Sequence, residues 1–342
     1  MRAFSSAGYT VPLGRHSYPM DKYRLVPERL LADGVLTRDD IREPQPVTRD
    51  DILRVHTPEY VHAFCSGRLD RRAMLRLGLP WSAALVRRAF VVIGGTLAAS
   101  RAALSDGLGV NLAGGTHHAF ADHGEGYCIF HDMVISLRRL RHEGMARRFL
   151  IIDLDVHQGN GTAALCQTDP DVFTFSMHAA NNYPARKEHS SWDIALPDHT
   201  TDEPYLDRLQ TALARLLERC EPELIFYQAG VDVLAGDRFG RLDLSLHGLG
   251  ERDRLVARFA RQAGLPLVVT FGGGYARDIN VIVEAHCQTV EIVRACLGLA
   301  APPGGERYCP YSALTTGRFS PIARRDRIVR SSSSDTPESA GV

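Results

Sequence analysis

From residue 109 onward the chain alternates two kinds of segment. Short, continuous apolar runs occur at 109–115 (GVNLAGG), 149–155 (FLIIDLD), 172–178 (VFTFSMH), 223–230 (ELIFYQAG) and 267–274 (LVVTFGGG). Glycine-rich or polar loops follow them, and segments with helical periodicity intervene, such as Tyr205 to Glu218 and Gly250 to Gln262. Runs without polar alternation belong to strands buried on both faces. Their alternation with helices predicts an α/β fold around a central, mostly parallel sheet with helices on both faces. Before residue 109 the pattern is mostly helical, including Thr48 to Phe64, with Thr48 as N-cap, and Ser82 to Leu104. From about Gly317 the chain carries scattered arginines and then SSSSDTPESAGV, which reads as an extended or disordered arm. The expected division is a catalytic domain over 1–316 and a tail over 317–342.

Composition narrows the function classes. The 342 residues are 44% hydrophobic and 23% charged, with a formal net charge of zero. Such a chain has no global field to recruit nucleic acid or an anionic membrane, and neither is expected as a partner. No uninterrupted apolar run reaches the roughly 18 residues that mark a membrane span. The N-terminal MRAFSSAGYTVPLGRH has no apolar signal core. Seven cysteines are scattered without a C-x-x-C pair, which suggests reduced thiols and a cytoplasmic protein. A homo-oligomer is left open.

The polar residues that interrupt this pattern cluster just after the apolar runs. Asp153, Asp155 and His157 follow Phe149–Ile152, and residues at i, i+2 and i+4 of an extended chain share a face. Two carboxylates and an imidazole at the end of a buried strand are costly unless paired or bound to a metal. Asp155, His157 and Asp232, the last after another buried run, make a three-ligand set with an open position. That set suits Zn²⁺, and also Fe²⁺ or Co²⁺. The plainer reading of each motif alone is a polar strand end or a turn aspartate, and Asp237 reads as one. His117 and His118 follow a Gly-Gly-Thr loop, where one can act as general base or acid while the other stabilises charge. Tyr275 follows three glycines in FGGGYA, where a phenol donor can meet an oxyanion. Tyr127 follows Gly126 in GEGYC and can line an apolar channel. In open α/β sheets ligands bind beyond the carboxyl ends of strands, so the shared placement of these residues weighs more than any one motif.

Together, GTHHAFADHGEGYCIFHD, IIDLDVHQGNGT, YQAGVDVLAGDRFGRLDLS and FGGGY resemble the metal-dependent histone deacetylase superfamily. HQGNG, NNYP and HSYPMDKYRL are most similar to its class IV branch and bacterial relatives. The resemblance spans roughly residues 10 to 300. It implies the arginase–deacetylase fold, with about eight strands, and zinc held by Asp155, His157 and Asp232. It implies that the zinc and His118 activate a water, that Tyr275 holds the oxyanion, and that Asp153 orients His117. Gly126, Tyr127, Gly273 and Gly274 would contact substrate. A structural potassium would be held, mainly by backbone carbonyls, at Asp153, Asp155, His157, Ser176 and Met177.

Two departures stand out. The partner expected for His118 is an amide, Asn160, which orients an imidazole without adding charge. No acidic rim loop is found; GRLDRRAMLRLGLPWSAAL occupies that region. The expected activity is zinc-dependent hydrolysis of the amide of an acyl-lysine, acetyl or longer, in a protein or peptide. The alternatives are an amidohydrolase of small acetylated amines such as acetylpolyamines, an arginase-like bimetallic enzyme, and a non-catalytic binding module.

Overall fold

In a computed structural model of the chain, residues 1–298 are described, and eight strands form one sheet in the order β2-β1-β3-β8-β7-β4-β5-β6. The strands are β1 (Arg2–Phe4), β2 (Ile41–Arg42), β3 (Leu108–Asn111), β4 (Phe149–Asp153), β5 (Val172–Ala179), β6 (Trp192–Leu196), β7 (Leu224–Ala229) and β8 (Leu267–Phe271). Every pairing is parallel, so all eight point the same way. The five runs read from sequence are β3, β4, β5, β7 and β8. The sequence reading missed β1, β2 and β6. The first two are only three and two residues long, and β6 is an edge strand with a half-exposed pattern, so none presents an apolar run.

The central strands divide their side chains between two apolar layers. Leu150 and Ile152 of β4, Ile225 and Tyr227 of β7, and Leu267 and Val269 of β8 point into one layer. That layer is closed by α1 (Lys22–Ala32), α8 (Asp202–Arg219), α9 (Leu246–Ala263) and α10 (Ile279–Cys296). Phe149, Ile151, Phe226 and Val268 point the other way, against α5 (Ala83–Asp106) and α6 (Asp132–His142). Full burial of each such side chain stabilises by about 1.5–3 kcal/mol, which is why these strands show no polar alternation.

One helical expectation is corrected in detail. Thr48 to Phe64 is not one helix but α2 (Arg49–Leu53) and α3 (Pro58–Cys65). Thr48 does cap α2 and closes a capping box with Asp51. Pro58 disfavours helical geometry at the residue before it, so Thr57 stays extended and caps α3 through Tyr60 N–H. The segment Ser82 to Leu104 is α5, with Ser82 as its cap. Among the described residues, α5 alone is long and apolar enough to cross a membrane, and 61% of that stretch is buried inside the protein. Its apolar surface packs on the sheet and α6, and Arg88 within it is buried with Nε donating to Tyr9 C=O. The remaining helices are α4 (Arg71–Leu77) and α7 (Asn160–Cys166). The expected domain boundary at 316 and the tail over 317–342 lie outside the described residues.

Candidate active site

β3, β8, β7 and β4 are consecutive neighbours in the sheet. Their carboxyl ends carry His117 and His118, Tyr275, Asp232, and Asp153 to His157 respectively. Residues more than 150 positions apart therefore meet at one edge of the sheet, as parallel strands require.

Asp155, His157 and Asp232 are buried, and their ligand atoms lie within 4.8 Å of one another. His157 Nδ1 is 3.0 Å from Asp155 Oδ1 and 3.1 Å from Asp232 Oδ2. The remaining carboxylate oxygens are held by backbone. Gly273 N–H donates to Asp155 Oδ2 at 2.7 Å, and Val156 N–H to Asp232 Oδ1 at 3.0 Å. Each carboxylate is thus fixed on one side and aimed at a common point on the other. Two buried like charges converge only around a cation, so this donor set fits a metal ion. Space is fitted as closely: a Cβ at Gly273 would lie 1.6 Å from Asp232 Oδ2. Without a metal, a proton takes the cation's place. Burial opposes a charge on His157, but hydrogen bonds and charge from Asp155 and Asp232 outweigh it and raise the imidazole to about 10.

The two histidines have different supports. His117 Nδ1–H donates to Asp153 Oδ2 at 2.8 Å. Burial lowers His117, but the charges of Asp153 and Asp155 outweigh it and raise it to about 9. His118 Nδ1–H donates to Asn160 Oδ1 at 2.7 Å. Burial, then the neighbouring His117 and His157, push His118 well below its ordinary value. The rings sit 4.0 Å apart between centroids. In the metal-free protein one is therefore held toward the cation and the other toward the free base at neutral pH.

The loop that presents them is pinned by a residue the sequence reading did not single out. Buried Asp132, the first residue of α6, accepts from Gly115 N–H at 2.9 Å and Thr116 N–H at 2.8 Å. Its Oδ2 also takes the Thr96 hydroxyl of α5 at 2.6 Å. On the other side, Gln228 Nε2 of β7 donates to Gly115 C=O at 2.9 Å.

Tyr275 is fixed through its backbone. Its N–H donates to Asp237 Oδ2 at 2.6 Å, and its C=O accepts from Arg238 Nε at 2.6 Å. Asp237 is the turn aspartate expected, taking Phe239 N–H and Gly240 N–H on its other oxygen, and it also places Tyr275. Burial, reinforced by Tyr18, Asp232 and Asp155, keeps the Tyr275 phenol protonated and hence a donor.

A cavity of about 520 Å³ leads from the surface to His118, His157 and Tyr275. Gly126 and Tyr127 line it, and Gly273 lines the inner chamber beside Asp155. Gly274 packs against Val231 and Ile282. Tyr127 stands with Tyr18 and Tyr275 at ring separations of 5.1 and 5.9 Å. Tyr183, in the NNYP motif, meets His118 edge-on at 5.0 Å. The rim carries Arg76, Arg238 and Arg241, and its lining includes no carboxylate. Arg76 sits at the end of α4, in the segment where an acidic rim loop was sought. Ser176 pairs in register with Asp153, while Met177 is buried in the core. A second cavity, of about 440 Å³, opens at the amino ends of β4 and β5.

Similar proteins point the same way. The histone deacetylase domain matches residues 16–290. An uncharacterised protein of Picosynechococcus sp. is 46% identical over 81% of this chain and 93% of its own length. Histone deacetylase 2 of Arabidopsis thaliana is 31% identical over 77% and 70%. Acetoin utilization protein AcuC of Staphylococcus aureus is 27% identical over 79% and 75%. The crystal structure of a histone deacetylase homologue complexed with SAHA superimposes with a TM-score of 0.73 at 22% identity, over 88% of this chain and 85% of that one. The fold, the buried Asp–His–Asp cluster and the domain match agree: this chain belongs to the histone deacetylase family.

Proposed function

We propose that the chain is a metal-dependent deacylase that hydrolyses the amide of an acyl-lysine side chain in a protein or peptide. The supporting observation is the convergence of the Asp155–His157–Asp232 cluster, a charged and a neutral histidine, and Tyr275 at the foot of one cavity. Zinc is the proposed ion, held by Asp155, His157 and Asp232. When bound, such an ion polarises a carbonyl and lowers the pKa of water to about 7.

The chain's own residues carry the remaining steps. His118 Nε2 is the free base that accepts a proton from the attacking water. His117, kept protonated by Asp153, supplies positive charge as the amide carbonyl becomes an oxyanion. Tyr275 donates a hydrogen bond to that oxyanion. The lysine amine leaves with a proton from the histidine pair. Aromatic walls at Tyr18, Tyr127 and Tyr183 suit the methylene stem of an acyl-lysine. A structural potassium is proposed at the carbonyl groups around Asp153, Asp155, His157, Ser176 and Met177.

Rim charge favours this substrate over a small acylated polyamine. A polyamine brings cations to a mouth lined by Arg76 and Arg238, with Arg241 already paired to Asp198 at 3.0 Å, and like charges repel. Six unpaired thiols among the described residues suit a reducing compartment, and a cytoplasmic location is proposed. Similarity to the class IV branch is the reason to include long acyl chains in the test. Purified protein with Zn²⁺ restored is assayed on matched acetyl-, lactyl-, octanoyl- and myristoyl-lysine peptides and on N-acetylputrescine, beside an Asp155→Ala control. Peptide turnover absent from the control supports the proposal, and the rank order sizes the acyl pocket. Turnover of N-acetylputrescine alone, or silence on every substrate with metal bound, refutes it.

A further inference from the structure

Behind His118 the hydrogen-bond chain does not end at Asn160. Asn160 Nδ2 donates to Glu125 Oε1 at 2.6 Å, while Asn160 Oδ1 faces His118 Nδ1 at 2.7 Å. We infer that Glu125 is a positioning residue for His118: by accepting from the Asn160 amide it fixes which end of that amide faces the imidazole. The logic is one of donors and acceptors. An ionised carboxylate only accepts, so the amide must turn its NH₂ toward Glu125 and its oxygen toward His118. An amide oxygen also only accepts, so His118 Nδ1 must carry the hydrogen. Nε2 is then bare and faces the reaction chamber.

With Asn160 alone this would not follow. An amide flipped by 180° would offer its NH₂ to His118, favour the opposite tautomer and remove the base. Asp153 has no such ambiguity, because both its oxygens accept. An amide in place of a carboxylate therefore needs a second group to choose its orientation, and Glu125 is placed to do so. Its own position is fixed. It lies in the turn bridged between Glu125 and Cys128, and its other oxygen is 3.7 Å from His123 Nε2. His123 Nδ1 is in turn 2.6 Å from Asp122 and its ring stacks on Phe120. Burial raises Glu125, but the neighbouring His123 and the Asn160 and Tyr183 side chains outweigh it and hold the carboxyl below its ordinary value.

The inference rests on the hydrolase reading for its kinetic test and not for its spectroscopic one. Glu125→Ala, Glu125→Gln, Asn160→Asp and the two corresponding double variants are compared as full-length, metal-loaded protein. Glu125→Ala should lower kcat about tenfold, with a smaller change in KM, since of the aromatic wall only Tyr183 also bonds to Glu125. Glu125→Gln should retain more activity than Glu125→Ala, since its amide oxygen still accepts from Asn160. Asn160→Asp should lower kcat beside Glu125, where two carboxylates would stand 2.6 Å apart. It should raise kcat in the Glu125→Ala background, because the carboxylate it introduces needs no orienting. Should Glu125→Ala not fold, the isosteric Glu125→Gln background poses the same question. There the amide introduced at position 125 can donate to the new carboxylate, and Asn160→Asp should again cost less than beside Glu125. Independently of turnover, ¹⁵N shifts of His118 should report the Nδ1–H tautomer in the wild type and a mixture in Glu125→Ala. The inference is overturned if Asn160→Asp changes kcat by one factor in every background, or if the His118 tautomer is the same with and without Glu125. A wild type that turns over nothing refutes the hydrolase reading, and the ¹⁵N spectra then decide the inference alone.

Discussion

The Asp153 arm and the Asn160 arm of the site begin at adjacent residues and end in different chemistry. His117 leans on a carboxylate and is held as a cation, whereas His118 leans on an amide and is held neutral. Burial acts on both imidazoles in the same direction. What separates them is chiefly the Asp153 carboxylate 2.8 Å from His117 Nδ1, helped by Asp155, while His118 faces an amide and the charge of His117 itself. A pair of identical side chains thus becomes a cation and a base through the groups behind them.

The largest test of this difference lies where both arms act. Tyr275→Phe should lower kcat by about 10²–10³, the cost of one oxyanion donor, with metal content unchanged. Normal turnover in that variant would mean that the histidines stabilise the oxyanion unaided. Next, Asp153→Asn should remove the cation from His117 and lower kcat by about 10² or more, by analogy with uncharged replacements of an orienting aspartate. It also tests stability in metal-free protein. A raised His117 contributes stability that is fully present below its unfolded pKa, about 6.5, and is lost as pH rises through about 9. Asp153→Asn should therefore cost more stability at pH 6 than at pH 10, measured by denaturant unfolding. Equal cost at both pH values would deny the cation.

Metal binding sharpens the contrast with the ligand cluster. His157 holds a proton up to about pH 10 in metal-free protein, and binding must release it. Zn²⁺ affinity should rise at least tenfold per pH unit between pH 6 and 8, and more steeply at the acid end, where buried Asp232, raised to about 7, also gives up a proton; a metal-buffered competition titration measures it. A flat profile would show that the cluster is already deprotonated. The smallest effect belongs to the rim: Arg76→Ala should raise KM for acidic peptides about twofold to fivefold, an exposed charge being worth about 0.2–1 kcal/mol. Loss of kcat there would place Arg76 closer to the chemistry than its position at the mouth implies.

Much of the site was legible because strand geometry is local. The i, i+2, i+4 spacing of Asp153, Asp155 and His157 exposes their shared face without any tertiary information, and five apolar runs expose the strands that matter. Glu125 was not legible. GEGYC offers one acidic residue in a glycine turn, and nothing nearby says that it meets Asn160, 35 positions later. Asp132 was hidden for the same reason: it looks like an ordinary acidic residue at a helix start. The break at Thr57–Pro58 is written in the proline, against the surrounding helical periodicity.

The sequence by itself determined five of the eight strands, the ligand types at their ends and the family, because these depend on periodicity and short motifs. Only the tertiary structure decided which ends lie side by side, which histidine is the cation and which way the Asn160 amide points. Those outcomes depend on single charges and hydrogen bonds between distant residues. Their strength comes from burial, which raises the cost of an unmatched donor or charge.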